Sequence, residues 1–281
     1  MTAEAFAPAK INLTLHVTGR RADGYHLLDS LVVFAGVGDK ITATPAAEMA
    51  LHVTGPTAAG VPTDGCNLVM KAARLMPEIP AKIVLEKHLP TAAGIGGGSS
   101  DAAATVRVLS ALGGTPPEPG AILSLGADVP VCHFQRPARM SGIGNVIDPA
   151  PPPPHAYLVL VNPGVAISTA DVFAALQGQF GSAMQETLPN WPDTAAFADW
   201  LLTQRNDLES PARTIAPVID DCLATLSEQP FCLLARMSGS GATCFGLFDK
   251  AEDAQATAAV LAASHPDWWV AAAPILAVPT A

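Results

Sequence analysis

The chain has 281 residues, a formal net charge of -10 and 49% hydrophobic residues. That length buries a large core and predicts two domains, while the acidic balance argues against a nucleic-acid or anionic-membrane surface and leaves room only for a local basic pocket. Five scattered cysteines without Cys-x-x-Cys spacing argue against a disulfide framework or zinc site. No basic start runs into an apolar segment and no apolar stretch approaches membrane-spanning length, so a compact cytoplasmic protein is expected.

Residues 5–18 alternate, with Ile11, Leu13, Leu15 and Val17 on one face of a strand and Lys10, Asn12, Thr14 and His16 on the other. Residues 19–26 read as a turn carrying Tyr25 and His26, and Leu31–Phe34 resumes a strand. Residues 41–62 predict short strands and turns. A helix is predicted over Asn67–Met76, ending before Pro77, with Asn67 suited to cap it. Ala81–Glu86 alternates like a strand and is followed by Lys87.

Pro90-Thr91-Ala92-Ala93-Gly94-Ile95-Gly96-Gly97-Gly98-Ser99-Ser100-Asp101 then leads into a helix over Ala102–Leu112, stopped by Gly113-Gly114. Gly94, Gly96, Gly97 and Gly98 remove the β-carbons that would keep a ligand from the backbone. The first amides of a helix lack internal partners and sit at the positive end of its dipole. A strand, a glycine loop and a helix N-terminus in succession form an anion site, most often for phosphate, to which Ser99 and Ser100 add hydroxyls. No Lys-Ser/Thr follows the last glycine, as a P-loop requires. Ser99 stands where the dinucleotide fingerprint needs its third glycine.

A second helix is predicted over Glu118–Leu125. Asp128 follows its glycine stop and precedes Pro130, a context in which a lone aspartate caps a turn. The proline run Pro149–Pro154 continues neither helix nor central strand, so domains are expected over 1–150 and 151–281. Beyond it come a strand (157–161), a helix opened by Ser168-Thr169 that carries Phe173, and a helix ending at Thr203. A helical region over 206–228 is expected to break at Pro211 and Pro217. Strands at 232–235 and 243–248 flank Ser238-Gly239-Ser240-Gly241, which by itself reads as a hairpin turn. A helix (251–263) and a strand (268–272) close an α+β pattern with an antiparallel pair.

Three of these segments resemble the GHMP kinases. They are Pro8-Ala9-Lys10-Ile11-Asn12-Leu13 followed by Asp23-Gly24-Tyr25-His26, the glycine loop from Pro90 to Ser100, and Gly126-Ala127-Asp128-Val129-Pro130. Ala235–Ala242 resembles the family's C-terminal glycine motif. The Gly-Gly-Gly-Ser-Ser form of the loop and Asp-Gly-Tyr-His point to the branch whose acceptor is 4-diphosphocytidyl-2-C-methyl-D-erythritol, in the non-mevalonate isoprenoid pathway. The resemblance implies a two-domain GHMP kinase fold, with an N-terminal ATP domain like that of ribosomal proteins and a ferredoxin-like α+β C-terminal domain.

It also implies roles. Asp128 would be the catalytic base, and Lys10 its charged partner, able to touch the transferring phosphoryl. Asn67 and Lys87 would lie near the nucleotide with the loop. Asn12, Tyr25, His26, Thr169 and Phe173 would bind the acceptor, with cytosine between Tyr25 and Phe173 and its edge on His26. Ser238, Gly239, Ser240 and Gly241 would back the site. ATP is the expected donor and Mg2+ is expected to arrive with it, since no carboxylate pair at metal-ligand spacing is apparent. The partner is the small-molecule acceptor, without nucleic acid or membrane, for a monomer or homodimer. Outside this branch stand other small-alcohol kinases, such as mevalonate or homoserine kinase. From another class stands a non-catalytic nucleotide- or RNA-binding module, which the acidic charge disfavours.

Overall fold

The structure, a computed structural model, describes residues 1–277. In chain order its elements are β1 (Ala3–Asn12), β2 (His16–Arg20), β3 (His26–Pro45), β4 (Ala50–Thr54), α1 (Leu68–Ala73), β5 (Ala81–Glu86), α2 (Gly97–Ala111), α3 (Pro119–Ser124), α4 (Val129–Phe134), β6 (Ala138–Gly142), β7 (Val146–Pro149), β8 (Tyr157–Asn162), α5 (Thr169–Ala175), α6 (Thr194–Leu202), α7 (Glu209–Ile215), α8 (Val218–Ser227), β9 (Leu234–Met237), β10 (Cys244–Phe248), α9 (Ala251–Ser264) and β11 (Trp269–Pro274).

They sort into two compact units, neither continuous in sequence. One takes residues 1–10, 37–91 and 96–135; the other takes 11–36, 92–95 and 136–281. The two sheets divide differently from these units: β1 to β7 form one seven-stranded sheet and β8 to β11 a four-stranded one, with the proline run lying in the chain between β7 and β8. β6 is hydrogen-bonded to Leu28–Val32 of β3, and β7 to β6, so residues 136–149 pair with the early strands.

In the first unit, Lys40–Pro45 of β3 pairs antiparallel with β5, and β4 pairs parallel with β5. Helix α2 packs on α1 and on α4, burying Ala102, Ala103, Ala104, Val106, Val108 and Leu109. Three successive alanines let neighbouring elements approach the helix closely.

In the second unit, β2 pairs with the start of β3 through a bulge between Val17 and Gly19. A separate antiparallel sheet runs β11-β8-β10-β9, with α8 on β9 and β10 and α9 on β8 and β11. Val159, Val161, Ile219, Leu226, Phe248 and Leu261 share its core. Full burial of such side chains stabilises by about 1.5–3 kcal/mol each.

Three local expectations need correction. The alternation over 5–18 is cut at Leu13–Leu15, between β1 and β2; Lys10, Asn12, Thr14 and His16, on its polar face, are all buried. Pro211 does not break its helix. It lies in the first turn of α7, where a backbone amide has no intrahelical partner to lose; Pro217 alone separates α7 from α8. The strand expected at 232–235 begins at Leu234 and runs to Met237. Among the described residues, no helix is long and apolar enough to cross a membrane.

Candidate active site

In the first unit, Gly96 stands before α2 in the left-handed region, at φ 62°, and offers no side-chain cap. The Ser100 amide returns to the Gly96 carbonyl at 2.8 Å. The amides ahead of it, from Gly97 on, have no carbonyl within the helix to bond, and they carry the dipole's positive end. Gly98 is exposed and Ser99 half-buried. The Ser100 hydroxyl is buried and donates to the Pro8 carbonyl at 2.8 Å. Ser100 thus ties the helix to β1, and Ser99 is the hydroxyl left near the surface.

Beside this helix start, Lys10 Nζ donates to Asp128 Oδ2 at 2.7 Å; the lysine side chain is 5% exposed and the aspartate 37%. Asp128 precedes α4 with helical backbone but makes no capping bond with its side chain. The capping role open to such an aspartate is therefore not the one it plays, and its carboxylate is turned to Lys10. Pro130 is accommodated in the first turn of α4,. A β-carbon built on Gly96 would lie 3.1 Å from Lys10 Cβ and 3.3 Å from its Cε, so the loop and the ion pair are in contact. Next to them the Cys132 thiol is wholly buried, and burial and then Asp128 push its pKa up to about 12. It remains a neutral filler.

Lys87 lies beneath the start of α2, its Nζ 3.5 Å from where a β-carbon on Gly97 would be. It is buried, ion-paired to Asp39, and 3.0 Å from Asp101 Oδ2. Asn67 caps α1: its Oδ1 accepts from the Val69 amide at 2.9 Å and its Nδ2 donates to the Pro62 carbonyl at 2.7 Å.

The second unit gathers another set. The Asn12 backbone amide donates to Ser238 Oγ (3.1 Å), and the Asn12 side-chain Nδ2 donates to Ser30 Oγ (2.8 Å). Ser30 Oγ in turn donates to the Thr14 carbonyl, which requires the Asn12 amide to be oriented as it is. Its Oδ1 is left buried without a partner. An unpaired buried carbonyl costs about 1–3 kcal/mol, and a ligand donor would relieve it. The β9–β10 turn packs on the first glycine of the loop: Ser238 Oγ donates to the Gly94 carbonyl at 3.2 Å. A β-carbon on Gly94 would meet Gly241 O at 2.6 Å and Ser238 O at 2.7 Å. Gly94 is needed for that close approach. Asn206 Nδ2 holds the Met237 and Gly239 carbonyls at 2.8 and 2.9 Å, and Thr169 Oγ1 bonds Ser240 Oγ at 2.8 Å.

Tyr25 is 61% exposed, at a turn closed by the Arg21 amide on the Tyr25 carbonyl at 2.7 Å. His26 stacks on Phe173, with centroids 4.7 Å apart, and meets Phe180 edge-on at 6.1 Å. Burial and then Arg20 lower the His26 pKa, favouring the neutral ring, which has both a donor and an acceptor. Phe173 is only partly buried, and it packs against the core while also facing His26.

Sequence reading passed over several ion-paired residues. Asp39 and Asp101 are the partners of Lys87. Asp29 and Arg139 form a two-pronged ion pair at 2.7 Å; Arg139 also donates to the carbonyls of Met184, Gln185 and Glu186, and Asp29 accepts from the Met184 amide. These pairs join residues far apart in the chain, and nothing local marks them.

A glycine loop opening on free helix amides, beside a lysine–carboxylate pair, defines the equipment of a phosphoryl-transfer enzyme. Comparison with known proteins agrees. Residues 67–147 match the GHMP kinases N terminal domain and 183–267 the GHMP kinases C terminal model. The chain is 57% identical over 272 residues to the 4-diphosphocytidyl-2-C-methyl-D-erythritol kinase of Cereibacter sphaeroides, covering 96% of this chain and 98% of that one. It is 53% identical to the enzyme of that name from Paramagnetospirillum magneticum, over 96% and 97%. A crystal structure of 4-(cytidine 5'-diphospho)-2C-methyl-D-erythritol kinase superposes with a TM-score of 0.75 at 32% identity, covering 97% and 99%. The L. major mevalonate kinase structure (TM-score 0.69, 14% identity, covering 100% and 98%) shares the fold. The chain belongs to the GHMP kinases, within the family of 4-diphosphocytidyl-2-C-methyl-D-erythritol kinases.

Proposed function

We propose that this protein transfers the γ-phosphoryl group of ATP to the 2-hydroxyl of 4-diphosphocytidyl-2-C-methyl-D-erythritol, in the cytoplasm. The observation that carries the reading is the 2.7 Å Lys10–Asp128 pair against Gly96. The free amides of α2 bind phosphate oxygens. Asp128 takes the proton of the acceptor hydroxyl; the alkoxide oxygen bonds to the γ-phosphorus as the bond to the bridging oxygen of ADP breaks. Lys10 steadies the charge that builds on the transferring group. Among the described residues, no three His, Cys, Asp or Glu side chains converge to hold a metal. Magnesium would come on the nucleotide's phosphates and offset their charge.

For the acceptor, Asn12 Oδ1 supplies a buried hydrogen-bond acceptor, and Tyr25, His26 and Phe173 supply aromatic faces and a polar edge for cytosine. Thr169, Ser238, Gly239, Ser240 and Gly241 line and stiffen that region. Turnover of ATP with the cytidyl acceptor, mevalonate and homoserine tests the reading. Turnover with the cytidyl acceptor alone is expected; preference for either of the others, or ATP binding without turnover of any, rejects it.

A further inference from the structure

The glycine loop leaves β5 at Lys87 and re-enters regular structure in α2, and its two ends are tied together beneath it. Asp39, on β3 and fully buried, accepts from the His88 amide at 2.6 Å and the Leu89 amide at 2.9 Å with Oδ1, and from Lys87 Nζ with Oδ2. Lys87 Nζ reaches on to Asp101 Oδ2, on the second turn of α2. A β-carbon on Gly97 would lie 3.5 Å from Lys87 Nζ, so the ammonium sits directly under the helix start. Lys87, Asp39 and Asp101 are 3%, 0% and 3% exposed. With both carboxylates around it and almost no surface, the ammonium is engaged inside the protein.

We propose that Asp39, Lys87 and Asp101 form a buried clamp that fixes the distance between the entry and the exit of the glycine loop. They are positioning residues, which set the aim of the α2 amides without touching the nucleotide. The inference rests on the reading of the loop as the ATP site. Two charges of one sign around a single ammonium would be costly if both persisted. Burial, with Lys87 opposing it and Asp39 adding to it, raises the Asp101 pKa to about 8, so the cluster sheds its excess charge and stays a neutral brace. The clamp differs from direct recognition by Lys87 in what it demands of Asp101, which a bound nucleotide cannot reach.

The test is ATP affinity and steady-state kinetics for Asp101→Ala, Asp101→Asn, Lys87→Met and the Lys87→Met/Asp101→Ala double variant, each checked by its unfolding temperature. Asp101→Ala is expected to weaken ATP about tenfold and to leave kcat and the acceptor KM within about twofold. Asp101→Asn, which keeps an acceptor for Lys87, is expected to restore ATP affinity. The double variant is expected to lose no more than the worse single one, because the two groups act as a unit. Lys87→Met weakening ATP while Asp101→Ala leaves it unchanged would overturn the clamp in favour of direct contact. A fall in unfolding temperature with unaltered ATP affinity would overturn it in favour of plain stability. If Lys87→Met does not fold, the Ala and Asn variants of Asp101 decide alone. Failure of the unmodified protein to bind ATP is a separate result, which rejects the reading of the loop.

Discussion

The α-carbon of Gly96 faces Lys10 so closely that a single methyl there would come within 3.1 Å of Lys10 Cβ. Gly96 also has φ 62°, where an L side chain is strained. Gly96→Ala should therefore displace the lysine from Asp128 and lower kcat at least about tenfold, a shift worth about 1.4 kcal/mol. Gly97→Ala has only ordinary contacts at 3.5 Å and beyond, with Lys87 and Leu89, and should stay within about threefold. Steady-state kinetics on the pair checks this; equal losses would mean that Lys10 does not depend on Gly96.

The second prediction concerns proton removal. Asp128→Asn keeps the size of the side chain and removes its charge. General base catalysis contributes on the order of 100- to 10,000-fold, so kcat should fall at least about 100-fold with both KM values little changed. Because Asp128 makes no capping bond, the unfolding temperature should barely move. A folded Asp128→Asn protein with near-normal turnover removes Asp128 from the chemistry.

A third outcome is read in stability against pH. The Asp101 pKa stands at about 8, raised from 3.8 chiefly by burial. Between these values the folded chain holds a proton that the unfolded chain has released. Stability from this group is therefore greatest at low pH, declines as pH rises through that window, and levels off above about 8. The histidines with lowered pKa, His16, His26 and His133, slope the other way below pH 6.5. The measurement is thus a difference: urea unfolding of the wild type and Asp101→Asn at pH 5.5 and 8. The wild type should lose more stability than the variant over that interval; parallel curves would place Asp101 among ordinary ionised carboxylates.

The fourth separates acceptor from donor binding. Tyr25 is exposed, and its backbone bonds Arg21 and Asp23. Tyr25→Ala should leave stability within about 0.5 kcal/mol and weaken the cytidyl acceptor by roughly 1–3 kcal/mol, the scale of base–aromatic stacking. Phe173→Ala should weaken it comparably, with some loss of stability because Phe173 also packs on the core. Calorimetric titration with acceptor and with ATP separates the cases; equal loss of both ligands would make Tyr25 a scaffold residue.

What could be read from the sequence was what is carried by neighbours in the chain. The helix start at Gly96–Ser100, the Ser168 and Asn67 caps and the turn between β9 and β10 all follow from short patterns, and all are present. Motif resemblance supplied Lys10 with Asp128, which are 118 positions apart and meet at 2.7 Å. What could not be read was any pairing with no motif. Asp39, on a strand that also carries Asp29 and Lys40, gives no hint that it will close on Lys87. Arg139 lies on β6, whose pairing with β3 spans more than a hundred residues. A glycine's direction was also hidden: Gly97 faces Lys87, while the residue that crowds Lys10 is Gly96. Sequence identifies a position without a side chain, but only the folded backbone says where that side chain would have pointed.

The interleaving of the two units bears on how the protein can be made. Each unit is assembled from three stretches of chain, so no single cut yields a self-sufficient piece. A fragment ending at residue 150 would keep the seven-stranded sheet but lose the four-stranded one, and the complementary fragment would lack Phe34 and Ala35, which pair with Leu276 and Ile275. Neither is expected to complete its fold alone. During synthesis, residues 11–36 leave the ribosome long before most of their partners exist. Such distant contacts close slowly, so folding is expected to finish only after the chain is released. A reporter of activity inserted at residue 150 would therefore read the completion of the whole molecule, never that of one half.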